Sequence, residues 1–257
     1  MSTLLAVDIG NTGITAGLFR GTRLIRRFST LTHQAGYRAF LDSVARTDVA
    51  AVIIASVVPH ATEKLIKNLK TAFPGIQPVI LGKNASAPVK NGYKYPGQVG
   101  QDRLVNAFAA IRLYGCPAIV VDFGTAITFD IISAKGEYKG GLILPGLQTS
   151  LDALAEKTAL LPKVSAAGPS GLIGQDTRSS MLNGIIYGSA CMADGLARKL
   201  AAQTGKQTRI IGTGGHIKLI APYCTCFTTI DPDLTLKGLN LINSVSDTNK
   251  KNGVRHN

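Results

Sequence analysis

The 257-residue sequence predicts an α/β protein made of two similar halves, each a mixed sheet flanked by helices. Aliphatic residues and glycine dominate and tryptophan is absent, a composition suited to buried parallel strands rather than to a disulfide-stapled or disordered chain. Asp8-Ile9-Gly10-Asn11-Thr12 near the start is echoed by Asp122-Phe123-Gly124-Thr125-Ala126 near the middle, each at the end of an apolar run. Each echo opens the same succession of strand-like and helix-like segments. A meander followed by βα crossovers gives a mixed sheet covered by helices.

In the first half, strands are expected over Leu4–Val7, Ile14–Phe19 and Arg23–Ser29. A helix over Tyr37–Ala45, a strand over Ala50–Ala55, a helix over Ala61–Phe73 and a strand over Pro78–Leu81 follow. A Gly- and Pro-containing loop from Gly82 to Gln101 leads into a helix over Asp102–Leu113, and Gly115 and Pro117 punctuate a boundary. The second half repeats the opening with Ala118–Val121, Ile127–Ile132 and Glu137–Leu144. It continues with a long helix over Ser179–Thr204, a strand over Thr208–Ile211, a short helix and a strand around Phe227. The expected domains are residues 1–115 and 116–243, with a polar, aperiodic tail over 244–257 that should be flexible and dispensable.

Composition narrows the function classes. The four cysteines, Cys116, Cys191, Cys224 and Cys226, form no C-x-x-C pair and are expected as buried free thiols. No apolar stretch reaches membrane-spanning length, and Asp8 interrupts the apolar N-terminus before a signal-peptide core could form, so the expected address is the cytoplasm. The net charge of +13 raises nucleic-acid binding, but its distribution speaks against it. Lys64, Lys67 and Lys70 recur at helical spacing as a solvated face, and Arg20, Arg23, Arg26 and Arg27 lack interleaved aromatics for base stacking.

The chemistry concentrates in three places. In the first echo Gly10 lets backbone approach a phosphate, Asn11 and Thr12 supply donors, and Asp8 can hold a hydrated magnesium ion; read alone, the same residues make an ordinary hairpin turn. The second echo adds Gly124, Thr125 and Thr128, so that two hairpins could grip a polyphosphate from opposite walls of an interdomain cleft, an actin-like (ribonuclease H-like) nucleotide clasp. Gly212-Thr213-Gly214-Gly215, between a strand and a helix, could admit an adenine or ribose. Tyr95-Pro96 through Gly100-Gln101-Asp102-Arg103 runs into a helix. Asp102 there is either a first-turn helix residue favoured by the dipole or a hydroxyl-orienting base, and Arg103 offers a fork for a carboxylate or phosphate. Gly82-Lys83-Asn84 lacks P-loop spacing, and no G-x-G-x-x-G follows the first strand. His33, His60, His216 and His256 are isolated and read as surface or packing residues.

In order, Asp8-Ile-Gly-Asn-Thr12, Ser56-Val-Val-Pro59, Tyr95-Pro through Gly100-Gln-Asp-Arg103, Asp122-Phe-Gly-Thr125 and Gly140-Gly-x-Ile143-x-Pro145-Gly146 resemble type III pantothenate kinase nearly to Leu241. The resemblance implies an actin-like ATPase fold and ATP-dependent phosphorylation of pantothenate to 4'-phosphopantothenate, the first committed step of coenzyme A synthesis. It implies ATP binding by Asp8, Ile9, Gly10, Asn11, Thr12, Gly13, Ile14 and Thr15, with Thr125 from the second half, and a magnesium ion held by Asp8 through water. Asp122 would bind a monovalent cation, potassium or ammonium. Tyr95, Gly100, Gln101, Asp102, Arg103 and Thr177 would hold pantothenate, with Asp102 as proton acceptor, and a homodimer is implied. A carboxylate at a helix start is expected to have a lowered pKa and to accept the proton late. Two alternatives share the ATP clasp: a regulatory protein of the accessory-factor kind, and an actin-like kinase for another acceptor. Retention of Asp8, Asp102 and Asp122 together speaks against the first.

Overall fold

The computed structural model describes residues 3–33, 37–45, 48–205 and 207–253. The chain divides into two compact units. Unit 1 comprises Met1–Val89, Tyr95–Ala109 and Leu234–Asn257; unit 2 comprises Lys90–Lys94 and Ala110–Asp233.

Strands β1 (Thr3–Ile9), β2 (Gly13–Arg20) and β3 (Arg23–Leu31) form an antiparallel meander; then come α1 (Arg38–Ala45), β4 (Val49–Ser56), α2 (Pro59–Ala72) and β5 (Val79–Ile80). The helical connections return β4 and β5 parallel to β1, giving the order β3-β2-β1-β4-β5. Alternation along β1 sends Leu5, Val7 and Ile9 into a core with Leu65, Leu69 and Phe73, from α2 and the residue that follows it. The start of α2 follows from Ser56-Val-Val-Pro59. Ser56 Oγ accepts the Val58 N–H at 3.0 Å and the Thr62 hydroxyl at 2.6 Å, and Pro59, lacking an N–H, fits the first turn.

After the short β6 (Lys90–Asn91), α3 runs over Gln101–Tyr114 and passes from unit 1 into unit 2. Strands β7 (Ala118–Phe123), β8 (Ala126–Ile132) and β9 (Glu137–Pro145) repeat the opening meander, followed by α4 (Leu147–Lys157) and α5 (Thr177–Thr204). Then come β10 (Arg209–Thr213), α6 (Ile217–Ile220) and β11 (Thr229–Ile230). The second sheet, β11-β10-β7-β8-β9-β6, repeats the neighbour order and strand directions of the first and adds β6 at its edge. The internal echo is therefore a repeat of topology. Ile186, Ala190, Ala193 and Ala197 of α5 lie on Ile119, Val121 and Phe129, the small side chains letting helix and sheet approach closely.

Two departures from the sequence expectation concern boundaries. The segment from Leu234 returns to unit 1 as α7 (Leu234–Gly253), so residues 244–253 of the expected tail are helical and 254–257 lie outside the described residues. Leu234, Leu236, Leu239 and Ile242 are buried, and α7 packs on β1 and β4. Gly238 permits the approach, since a Cβ there would stand 2.7 Å from Val105 of α3. The thiols also differ. All four are free, but Cys116 and Cys191 are exposed and Cys224 and Cys226 only half-buried. No helix among the described residues is long and apolar enough to cross a membrane.

Asn183 of α5 is 2% exposed, and neither of its amide atoms has a hydrogen-bond partner among the described residues. Leaving such a group unsatisfied costs about 1–3 kcal/mol. Asn183→Leu, of similar volume, should therefore raise stability by about 1–2 kcal/mol, measured as a higher urea midpoint; a lowered midpoint would show that the amide is in use.

Candidate active site

In unit 1 the turn between β1 and β2 is held by backbone and by one distant side chain. The Gly10 N–H donates to the Gly13 carbonyl at 3.0 Å, while Thr32 donates its hydroxyl to the Gly10 carbonyl at 2.7 Å and its N–H to the Thr12 carbonyl at 3.1 Å. Thr32 is itself fixed by the Tyr37 hydroxyl, which donates to its carbonyl at 2.6 Å. Asn11 and Thr12 are exposed, and Asp8 and Thr15, paired across the strands, are half-buried. Ile9 and Ile14 are fully buried, so they can offer a ligand only backbone. Thr32 went unnoticed in the sequence because its partners lie twenty-odd residues away.

The same end of the sheet carries Asp102. The Val57 N–H donates to the Ile9 carbonyl at 3.1 Å, bringing the ends of β1 and β4 together, and a Cβ on Gly100 would lie 3.5 Å from the Val57 side chain. That Cβ would also collide with Asp102 Oδ1, so glycine at 100 is what lets the Asp102 carboxyl fold back over the chain. Asp102 sits in the first turn of α3, as expected. Its pKa is opposite to expectation. Burial pushes the carboxyl above the usual range, outweighing its hydrogen bond to the Arg103 backbone and the charge of Arg103. The expected depression considered only the helix terminus; desolvation wins because Oδ1 is out of solvent with no hydrogen-bond partner among the described residues. Gln101 Oε1 is likewise buried without a partner, and its side chain packs on Gly82. Arg103 is buried and Tyr95 exposed.

Unit 2 builds a second turn at the matching position. Asp122, next to last in β7, lies opposite Thr128 of β8 and beside Thr213 of β10. The Gly124 N–H donates to the Ala126 carbonyl at 3.1 Å, and Thr125 is exposed at the tip. From one side the start of α4 presses on this turn: the Gly146 N–H and the Thr149 hydroxyl donate to the Thr125 carbonyl at 3.1 and 2.7 Å, and a Cβ on Gly146 would stand 2.8 Å from the Thr125 carbonyl carbon. Gly146, the last residue of the Gly140–Gly146 motif, thus lets the chain pass close to Thr125. From the other side come Gly214 and His216 of the glycine-rich turn.

Thr177 opens α5, capped by Asp176, whose Oδ1 accepts the Ser179 N–H at 2.8 Å. It lines a depression of about 570 Å³ with Leu161, Gly174, Gln175, Asp176, Ser180 and Met181. The structure therefore groups the expected residues by unit: Asp8–Thr15 with Gly100–Arg103 in unit 1, and Asp122 with Thr125 in unit 2, where Thr177 lines its own depression.

Two α/β units of repeated topology, each opening on an aspartate-bearing strand and a glycine turn, make up the actin-like ATPase fold. The model of type III pantothenate kinase matches residues 4–199, and the chain belongs to that family. The type III pantothenate kinase of Syntrophobacter fumaroxidans is 40% identical over 260 residues, covering 97% of this chain and 99% of its own. That of Moorella thermoacetica is 38% identical over 252 residues, covering 93% and 98%. Among solved structures, a Baf-family transcriptional activator from Campylobacter jejuni matches with a TM-score of 0.59 at 22% identity, covering 95% of this chain and 99% of its own. Ethanolamine utilization protein EutJ from Carboxydothermus hydrogenoformans matches at 0.52 and 12%, covering 94% and 90%. At these identities the structural likeness is one of fold.

Proposed function

We propose that the chain transfers the γ-phosphoryl group of ATP to the hydroxyl of pantothenate, forming 4'-phosphopantothenate in the cytoplasm. The observation that carries this reading, within a chain of this family, is Asp102 Oδ1: out of solvent and without a hydrogen-bond partner among the described residues, in the same unit as the Gly10 turn. A hydroxyl that donates to Asp102 Oδ1 would supply the missing partner. Because phosphoryl transfer passes through a loose transition state, the carboxyl has to orient that hydroxyl and take its proton only as the new P–O bond completes. A raised pKa suits this step, since it makes Asp102 a stronger base than an exposed aspartate. Arg103, Gln101, Gly100, Tyr95 and Thr177 are assigned to pantothenate, with Arg103 pairing its carboxylate.

ATP is assigned to residues 8–15 and Thr125. Asp8 is a half-buried hard-oxygen donor at a glycine turn, which fits a magnesium ion held through water. Asp122 fits a monovalent cation: its carboxylate lies in a space that a Cβ on Gly214 would fill. When bound, the two cations neutralise phosphate charge, and the residues themselves hold the nucleotide in place. A homodimer is part of the proposal, supported by Leu172 and Ile173, 71% and 84% exposed, immediately before the Thr177 depression.

Coupled measurement of ADP release tests the reading. With Mg-ATP and pantothenate the expected result is turnover in potassium and at least about tenfold less in sodium, the cost of misplacing charge stabilisation by roughly 1.4 kcal/mol. Absence of turnover in potassium from folded protein, with salt-dependent retention of DNA, would replace the kinase reading by the regulatory one.

A further inference from the structure

His216, set aside in the sequence as a packing residue, is unlike the other braces of the second turn. Its backbone N–H donates to the Phe123 carbonyl at 2.9 Å, and its imidazole lies against the Gly124 backbone. Both contacts fall in the Asp122–Thr125 segment. Gly214, two residues earlier, presses on Asp122 and Phe123 with φ +100°, so the glycine-rich turn meets this segment at consecutive residues. The opposite side is held by the Gly146 N–H and the Thr149 hydroxyl, both on the Thr125 carbonyl. Of the side chains in this set, only the imidazole of His216 has a buried polar atom left over: Nδ1 has no hydrogen-bond partner among the described residues.

We propose that His216 is a positioning residue for ATP, its imidazole bracing the Gly124 backbone so that Thr125 is presented to the nucleotide, with Nδ1 gaining a partner when the nucleotide is bound. This rests on the assignment of Thr125 to ATP. The argument is one of leverage. Thr125 is exposed at the tip, so the direction of its hydroxyl follows from how the Gly124 and Thr125 peptides are oriented. Gly146 and Thr149 fix the Thr125 carbonyl; His216 fixes the residue before it. An unbraced Gly124 would leave Thr125 free to swing, and the loss would appear in ATP affinity rather than in the handling of the acceptor. Burial also holds the imidazole pKa below its ordinary value.

The test uses the full-length chain, first confirmed to turn over pantothenate so that failure of the kinase reading is seen separately. His216→Ala is expected to raise KM for ATP, and Kd for a non-hydrolysable ATP analogue measured by calorimetry, about tenfold. KM for pantothenate should stay within about twofold. His216→Gln, which restores a polar group of similar reach, should recover most of the ATP affinity; it also covers the case in which the alanine variant fails to fold. In ¹⁵N-histidine spectra of the wild-type chain, the His216 Nδ1 resonance should move on adding the analogue. Unchanged ATP affinity in both variants, an equal rise of both KM values, or an unmoved Nδ1 resonance would overturn the proposal.

Discussion

Asp102→Asn is expected to lower kcat about a thousandfold, within the range for removal of a positioned general base, while leaving the affinity for ATP within about twofold. Asparagine is nearly isosteric and can still sit over Gly100, so the geometry survives while the proposed proton acceptor does not. The raised pKa adds a second readout. A carboxyl with a folded pKa above its unfolded value gives stability that is fully present below the unfolded pKa and is lost as pH rises through the folded one. Above the folded pKa of Asp102 the wild-type chain therefore carries an unfavourable desolvated charge that the asparagine variant lacks. The variant should melt at a higher temperature than wild type above the folded pKa of Asp102, and this advantage should vanish below its unfolded value. A rate within about threefold of wild type would reduce Asp102 to a helix-terminus residue; a variant less stable than wild type above that folded pKa would mean that Arg103 and the helix terminus outweigh burial.

How far the site was legible in the sequence follows from the range of the interactions involved. Asp8, Asp102 and Asp122 stand out because each lies beside its own glycine within a few residues, and because one motif echoes another. Thr32 and His216 do not, and Gly146 and Gly214 stand in visible motifs whose partners are not, since each acts on a turn far away in the chain and nothing local marks the pairing. The sheets were legible for the same reason as the aspartates: strand alternation and the repeated meander are local signals. The helix α4 was missed because Pro145-Gly146 precedes it and only Leu147 and Leu151 are buried along its face. The helix α7 was missed because the sequence after Ile242 is polar and aperiodic and resembles a tail. The sign of the Asp102 shift could not be read locally at all. The helix terminus is visible in the sequence, whereas the desolvation that outweighs it depends on the chain packed around the carboxyl.

Gly214→Ala is the second large effect. Two costs fall on one residue: φ of +100° is a conformation that L side chains rarely adopt, and the new Cβ would stand 2.6 Å from the Phe123 backbone nitrogen and collide with Asp122 Oδ1. Strained backbone costs about 1–3 kcal/mol, and the collision adds to it, so a loss of about 3 kcal/mol or more is expected. Gly115→Ala separates the two terms. Gly115 has φ +84° in the same unit with nothing within 4 Å of its Cβ position, so that variant should carry the backbone cost alone. Urea midpoints of the two variants should differ by the contact term. Their activities should differ further, because only the Gly214 variant displaces Asp122 and the turn that carries Thr125: weakened ATP and potassium dependence should accompany it and be absent from Gly115→Ala. Equal midpoints and equal activities would mean that the glycine-rich turn can move away from Asp122 without consequence, and that the second turn is not held from that side.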